Sequence, residues 1–140
     1  MCLDDVLERK EFDEAKRALP ARFVVWKVAM NRQGQFGPVF CNTHEQFFTG
    51  WQEAAYQRPI LLKGLRCYDS SYHAYPTRAA ARSWHMDSPY GYRRVYRILR
   101  CEARRCDVTA IGTQDGLRVL VLRRLRFPSE CGKRPRKTKQ

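Results

Sequence analysis

The chain has 140 residues and a mass of 16.5 kDa, a length typical of one domain that excludes a large modular enzyme. Hydrophobic residues make up 44% of it and aromatic residues 12%. Disordered proteins are poor in both types, so most of the chain is expected to fold. Lys and Arg number 27 against 14 Asp and Glu, which gives a net charge of +13 at pH 7. A polyanionic partner is therefore the first hypothesis.

The charge is distributed unevenly and suggests three parts. Residues 1–20 hold four bases and six acids, net −2, and predict an N-terminal helical segment. Residues 21–127 hold 18 bases and seven acids, net +11, and predict a basic α+β domain. Residues 128–140 hold five bases and one acid, net +4, beside two prolines, and predict a disordered basic tail.

The first predicted elements are a helix and a strand. Apolar residues at spacings of three and four, with acids early and bases late, predict a helix from about Asp4 to Leu19 that ends at Pro20. The β-branched and aromatic residues from Arg22 to Met30 predict a buried strand. Gly50 to Tyr56 is compatible with a short helix, and Ile60 to Tyr68 indicates a second extended segment.

A helix with a clear start follows in the middle of the chain. Thr77 can cap the N-terminus of an alanine-rich helix, which Pro89 cannot continue. The next segment, Tyr92 to Ala103, fits two structures, because its arginines recur at helical spacing while its Val, Tyr and Ile residues favour a strand. We predict a strand in which Leu99, Cys101 and Ala103 face one way with Arg97. Tyr96, Ile98, Arg100 and Glu102 then face the other way.

Extended structure also dominates the C-terminal part. Asp107 to Ile111 predicts a short strand, and Gln114-Asp115-Gly116 predicts a turn. Leu117 to Phe127 alternates, so we expect one face to be core and the other to be basic. Together these elements predict an α+β fold, a small single domain with an antiparallel sheet of about four to six strands and one or two packed helices.

The six cysteines do not form a recognisable metal site. Cys101 and Cys106 could be combined with Cys131 or His85, but no Cys-x2-Cys pair exists and the chain has no disulfide-type spacing. We therefore expect reduced thiols, no metal ligands and no cofactor.

The three histidines, His44, His73 and His85, leave acid–base or Cys–His chemistry open, because each lies near aromatic and acidic residues in the sequence. However, no catalytic motif of known spacing accompanies them. We assign no catalytic residue and favour a binding protein over an enzyme.

The segment Tyr72-His73-Ala74-Tyr75-Pro76-Thr77, leading into the alanine-rich helix, is the most characteristic motif. It resembles an aromatic-His-x-aromatic strand and capped helix found in small, mostly uncharacterised phage and prophage proteins. The resemblance covers about residues 22–127, and Ser71 stands where that pattern prefers Gly. It implies a phage origin and, through it, interference with a host defence system.

Arginine and tyrosine are interleaved in the second half of the chain. Twelve arginines lie from Arg78 to Arg126 against four acids, and arginine with aromatic residues is the combination that binds phosphates and stacks bases. The predicted contact residues are Tyr92, Arg93, Arg94, Tyr96, Arg97, Arg100, Arg118, Arg124, Arg126, Lys133, Arg134, Arg136 and Lys137.

We therefore expect a phosphate-bearing partner, RNA or DNA. Two alternatives stay open. In the first, an arginine-lined cleft with the candidate pocket residues His73, Tyr72 and Tyr75 nearby sequesters or processes a small nucleotide. In the second, the basic surface docks an acidic host protein. No apolar segment reaches the length of a membrane span and no export signal is recognisable, so we expect a cytoplasmic protein without a membrane partner.

Overall fold

The computed structural model describes residues 3–39, 45–55, 57–62, 65–87 and 96–136. These residues form eleven strands: β1 (Asp5–Val6), β2 (Arg22–Arg32), β3 (Gln35–Gly37), β4 (Gly50–Glu53), β5 (Pro59–Leu62), β6 (Leu65–Asp69), β7 (Tyr72–Ala74), β8 (Tyr96–Arg104), β9 (Val108–Gln114), β10 (Leu117–Leu122) and β11 (Arg124–Phe127). The helices are α1 (Arg9–Arg17) and α2 (Arg78–Asp87), and 3-10 turns span Arg105–Asp107 and Ser129–Cys131. None of the helices among these residues is long and apolar enough to cross a membrane.

The strands form two larger sheets and one hairpin. The five-stranded sheet has the order β3-β2-β8-β11-β4, the four-stranded sheet has the order β1-β9-β10-β7, and β5 pairs with β6. Every strand pairing among the described residues is antiparallel. The predicted small α+β fold, with an antiparallel sheet of about four to six strands and one or two helices, is confirmed, and the structure contains two sheets of this size rather than one.

Two long stretches of chain pass through both sheets. β8 continues into β9 through the turn Arg105–Asp107, and β10 continues into β11 through Arg123. They pair with each other on both sides of this bend, as β9 with β10 and as β8 with β11. The predicted strand from Leu117 to Phe127 is therefore two strands, because the ribbon turns from one sheet into the other at Arg123.

The predicted alternation of core and basic faces holds in β11 but is wrong in β10. In β11, Leu125 and Phe127 are buried while Arg126 is exposed. In β10, however, Leu120 and Leu122 are as buried as their neighbours. Both faces of β10 are buried because it is an inner strand of its sheet and apolar groups cover each face.

Two core clusters account for this burial. The first combines inward side chains of both large sheets, including Val25, Leu99, Leu122 and Phe127. The second lies against the other face of β10, contains Val121 and Tyr68, and extends to Val28 and Ala81, where α2 packs on β2. The described part of α2 thus covers one end of the outer face of the five-stranded sheet. Among the described residues the other end is open, since Arg22, Arg100 and Arg126 are exposed there.

The N-terminal prediction needs correction. The helix spans Arg9–Arg17 rather than Asp4 to Leu19, because the preceding residues pair with β9 instead. Asp4 N donates to Thr113 O and Leu7 N to Ile111 O, both at 2.8 Å, and Leu3 is 1% exposed. Long-range strand pairing satisfies these backbone groups, so the local helical pattern does not decide their structure.

The remaining elements follow the predictions in part. The Thr77 cap is confirmed, since Ala80 N donates to Thr77 Oγ1 at 3.1 Å. Tyr96–Arg104 is a strand as predicted, and residues 92–95 lie outside the described part. The sequence from Gly50 to Tyr56 is compatible with a short helix, but this interpretation is wrong. Gly50–Glu53 pairs with β11 as a strand.

The segment predicted as a disordered tail begins with ordered structure. Ser129–Cys131 forms a 3-10 turn, Cys131 is 5% exposed in the first core cluster, and Gly132 O accepts from Thr49 N at 2.8 Å. The predicted boundary at residue 128 is therefore corrected, because burial of Cys131 holds the chain against the sheet.

Candidate functional site

The open end of the outer face of the five-stranded sheet concentrates arginine. Strand register aligns Arg22 with Arg104, and Trp26 with Arg100. It also aligns Arg126 with Trp51. Directly opposed residues of antiparallel strands project on the same side. We call the resulting surface the basic face, and it consists of Arg22, Trp51, Arg100, Arg104, Arg124 and Arg126.

The sequence places these arginines outward because the intervening residues are core. On the inner side of the same strands, Val25, Leu99, Cys101 and Leu125 are each 0% exposed. Successive side chains of a strand point to opposite faces. Burial of one set therefore places the alternate positions of β2, β8 and β11 on the outer face, where Arg22, Arg100 and Arg126 are exposed.

The basic face carries excess positive charge. Among the described residues, its five arginines are accompanied by two acids that share the same side, Glu53 and Glu102. Arg126 Nη1 lies 3.3 Å from Glu102 Oε2, with about half of each side chain exposed, so this ion pair is screened by water. Within the described part of the chain, Arg22, Arg100 and Arg124 form no ion pair.

Trp51 gives this face an aromatic ring. It lies on β4, the outermost strand of the sheet order, with its side chain partly exposed. The guanidinium carbon of Arg104 lies 4.1 Å from the centroid of the Trp51 ring, the separation of a cation–π contact. Because β11 lies between the two strands, the side chain of Arg104 reaches across it to make this contact.

The structure divides the predicted phosphate contacts into separate groups. Arg100, Arg124 and Arg126 lie together on the basic face. Arg97 is exposed but points to the opposite side of β8, aligned with Ala29. Arg118 lies in the other sheet, opposite Thr113.

The other predicted contacts lie elsewhere or outside the described residues. Tyr96 is aligned with Met30 at the covered end of the sheet and packs against the second core cluster. The basic residues after the last turn are exposed, and the guanidinium of Arg134 lies 5.2 Å from the Phe48 ring centroid. Four predicted phosphate contacts lie outside the described residues: Tyr92, Arg93, Arg94 and Lys137. The predicted contacts after the last turn that are described, and exposed, are Lys133, Arg134 and Arg136.

Sequence reasoning missed three members of the basic face: Arg22, Trp51 and Arg104. Arg104 continues the alternation of Arg100 and Glu102, so the strand pattern itself could have identified it. Arg22 begins the strand that was predicted, but its neighbours depend on the register with β8. Nothing in the sequence around Trp51 indicates that it lies among these arginines, because its position depends on the pairing of β4 with β11.

His73, the centre of the other candidate site, has both ring nitrogens engaged. Nδ1 lies 3.1 Å from Ser71 O, a carbonyl that can only accept, so Nδ1 carries the proton. Nε2 lies 3.4 Å from the Tyr68 hydroxyl, which accepts a bond from Leu3 N at 2.9 Å and can donate to Nε2. Burial, reinforced by the Lys27 ammonium, lowers the pKa of His73 to about 3. These contacts describe a neutral histidine on β7 that touches Tyr68 of the β5–β6 hairpin, and Tyr68 in turn contacts the N-terminal segment at Leu3.

The two tyrosines proposed beside His73 belong to different parts of the core. Tyr72 is 4% exposed in the first cluster and donates from its hydroxyl to Glu45 Oε1 at 2.9 Å. Tyr75 is 5% exposed in the second cluster. Burial raises the pKa of both phenols, so both stay protonated. A nucleotide cleft at this segment stays a prediction from the sequence.

The cysteines of the described region differ in environment. Cys101 and Cys131 are buried, and burial raises the pKa of each thiol to about 12, whereas Cys106 is exposed. Among the described residues no group of three or more His, Cys, Asp and Glu side chains is arranged to hold a metal ion. His44 lies outside these residues.

Comparisons of the chain with protein families, with curated proteins and with solved structures found no match in any of the three. The resemblance to phage and prophage proteins stays an expectation from the sequence. Geometry and charge are accordingly the basis for assigning a function.

Proposed function

We propose that this protein binds nucleic acid through the basic face. The observation that carries the proposal is the grouping of five arginines around a partly exposed tryptophan on one open sheet surface. Arginine supplies a planar set of donors that fits phosphate oxygens in pairs, and its charge stays fixed at physiological pH.

The dimensions of this surface suit a polymer. Arg100 and Arg104 are four positions apart on one strand, which corresponds to ~13 Å, and the four strands β2, β8, β11 and β4 span ~14 Å at the usual spacing. A backbone crossing such an area brings several phosphates within reach of arginine side chains.

Open geometry also favours a polymer over the alternative ligands. The arginines are exposed or partly exposed on a sheet surface, whereas a small nucleotide is usually held in a concave pocket that buries most of it. An acidic protein would meet the same charge, but its carboxylates would not account for the partly exposed aromatic ring of Trp51 among the arginines.

The test compares two double variants of equal charge. Arg100→Gln with Arg126→Gln removes two arginines from the basic face, and Arg97→Gln with Arg118→Gln removes two exposed arginines that lie away from it. Binding of a fluorescent oligothymidylate is measured by anisotropy over a range of salt concentrations. A parallel titration uses the acidic peptide polyglutamate.

The first variant is expected to weaken binding and to lower the slope of log affinity against log salt by about 1 for each phosphate that is no longer bound. The control variant should retain most of the affinity. Equal losses in both variants would reduce the effect to net charge, and preferred binding of polyglutamate would replace nucleic acid by an acidic protein as the partner. A comparison of oligouridylate with oligodeoxyuridylate, which differ only in the 2′-hydroxyl, distinguishes RNA from DNA.

The resemblance to phage proteins adds a direction to this proposal. If the chain acts against a host defence system, the nucleic acid it binds would be one that such a system uses or recognises. Copurification of nucleic acid with the protein, followed by sequencing, tests this extension.

A further inference from the structure

We infer that Trp51 stacks an unpaired nucleobase and that the basic face therefore selects single-stranded nucleic acid. This inference rests on the proposed function and deepens it. The proposed function concerns the phosphates of the ligand, and this inference adds recognition of its nucleobases.

Trp51 is not a core residue. It belongs to neither of the two core clusters of the described residues, whereas Trp26 on the same side of the sheet packs against the second cluster. Its aligned neighbour on β11, the strand paired with β4, is Arg126 and not an apolar side chain. A large aromatic ring among arginines contributes little to the packing of the core, so its position requires another explanation.

The Arg104 contact marks the ring face as a place where a flat group can lie. A guanidinium is planar and delocalised, and here its carbon is 4.1 Å from the ring centroid. A nucleobase is also planar and can take the same position. The displaced guanidinium would then be free to bind a phosphate, and the stack with a base is stronger than the exposed cation–π contact that it replaces.

Base stacking explains why the ligand must be single-stranded. In a duplex the bases are paired and stacked on one another, and their flat faces are not accessible to a ring on a sheet surface. A single strand can turn one base onto Trp51 while its phosphates follow the surrounding arginines. Trp51 lies on the edge strand of the sheet order, and no strand of the described residues pairs with β4 on its other side.

The experiment separates base contacts from charge contacts. Binding of the wild-type protein is measured for a 12-mer of thymidine, for a 12-mer of uridine, for an abasic 12-mer of equal charge, and for a 12-base-pair duplex. Trp51→Leu keeps an apolar side chain but removes the aromatic face, Trp51→Phe restores a ring, and Phe48→Leu removes another aromatic residue that lies under an arginine. Melting temperatures show whether each variant is folded.

The wild type should bind both base-containing single strands about tenfold to a hundredfold more tightly than the abasic strand, because stacking of a base supplies that difference. Trp51→Leu should abolish the preference with unchanged affinity for the abasic strand, Trp51→Phe should restore part of it, and Phe48→Leu should keep it.

Other outcomes overturn the inference in distinguishable ways. Equal wild-type binding of base-containing and abasic strands would refute base stacking, and tighter binding of the duplex would refute single-strand selection, with the proposed function intact in both cases. If folded Trp51→Leu still preferred base-containing strands over the abasic strand, the bases would stack at a residue other than Trp51. No binding to any of the four probes would refute the proposed function itself. The wild-type comparison needs no variant and remains decisive if Trp51→Leu does not fold.

Discussion

Arg123 Nε donates to Asp107 Oδ1 at 3.0 Å at the point where the long ribbon bends from one sheet into the other. The backbones of the two residues are also joined, since Arg123 N donates to Asp107 O at 3.0 Å. Asp107 is 3% exposed, and among the described residues its Oδ2 atom has no hydrogen-bond partner. The pair therefore links the two chain segments at the bend, and the buried carboxylate depends on Arg123 for its charge balance.

Replacement of Asp107 should loosen this bend. Asp107→Ala removes the acceptor for Arg123 Nε and should lower the free energy of unfolding by about 1–3 kcal/mol, measured by urea denaturation. Arg123→Gln should also destabilise the protein, because it leaves a buried carboxylate without its cation. In the double variant the two effects should be less than additive. Strict additivity would mean that the two side chains act independently.

Neighbouring residues of β11 should respond in opposite ways to truncation. Phe127 is 2% exposed, stacks on Phe47 with ring centroids 4.5 Å apart, and meets the edge of Tyr72. Phe127→Ala should cost about 3–5 kcal/mol of stability through reduced burial and the cavity left behind. Arg126→Ala, one position away on the open side, should change stability by less than about 1 kcal/mol. Similar unfolding midpoints for the two variants would contradict the assignment of the faces.

The lowered pKa of His73 should make the stability of the protein depend on pH. Its pKa is about 3 in the folded protein, below the ordinary value of 6.5. The unfolded chain therefore binds the proton more tightly, and the contribution of His73 is complete above pH 6.5 and is lost as the pH falls towards 3. The stability difference between wild type and His73→Gln should shrink with falling pH in this window, by at most about 1.4 kcal/mol per pH unit.

Titration by NMR checks the same point directly. The His73 ring signals should stay constant from pH 8 to about pH 4, because the neutral ring is retained. A midpoint near 6.5 would show that the ring is solvated and that its contacts to Ser71 and Tyr68 do not hold the neutral form.

The basic C-terminal residues should add affinity without selectivity. Deletion of residues 133–140 removes five bases and keeps Cys131, which is packed in the core. The melting temperature should stay unchanged, and binding should weaken equally for oligonucleotides of every sequence, because phosphate contacts carry no base information. The salt slope should fall by roughly 0.9 for each phosphate that is no longer neutralised. A change in sequence preference after deletion would instead make this segment a base-reading element.

The sequence predicted local features better than long-range ones. Alternation along the last strands correctly separated Leu125 from Arg126, and the capping hydroxyl of Thr77 correctly located a helix. These features depend on near neighbours in the chain. In contrast, Trp51 joined the basic face, and Leu3 joined the core, only through strands that pair with distant segments. Such pairing overrides local propensity, so the composition of the candidate site was only partly predictable.

The pairing of β2 with β8 also constrains how the protein is made. Val25 on β2 lies opposite Cys101 on β8. β2 therefore cannot pair with β8 until the ribosome has synthesised the residues between them. Until then, β2 presents an unpaired edge and an apolar side, which favour association with other chains. Contacts between such distant segments also predict folding on the millisecond-to-second timescale rather than the microsecond timescale. The sheet that displays the arginines is thus completed only after the strands β8 and β11 have emerged.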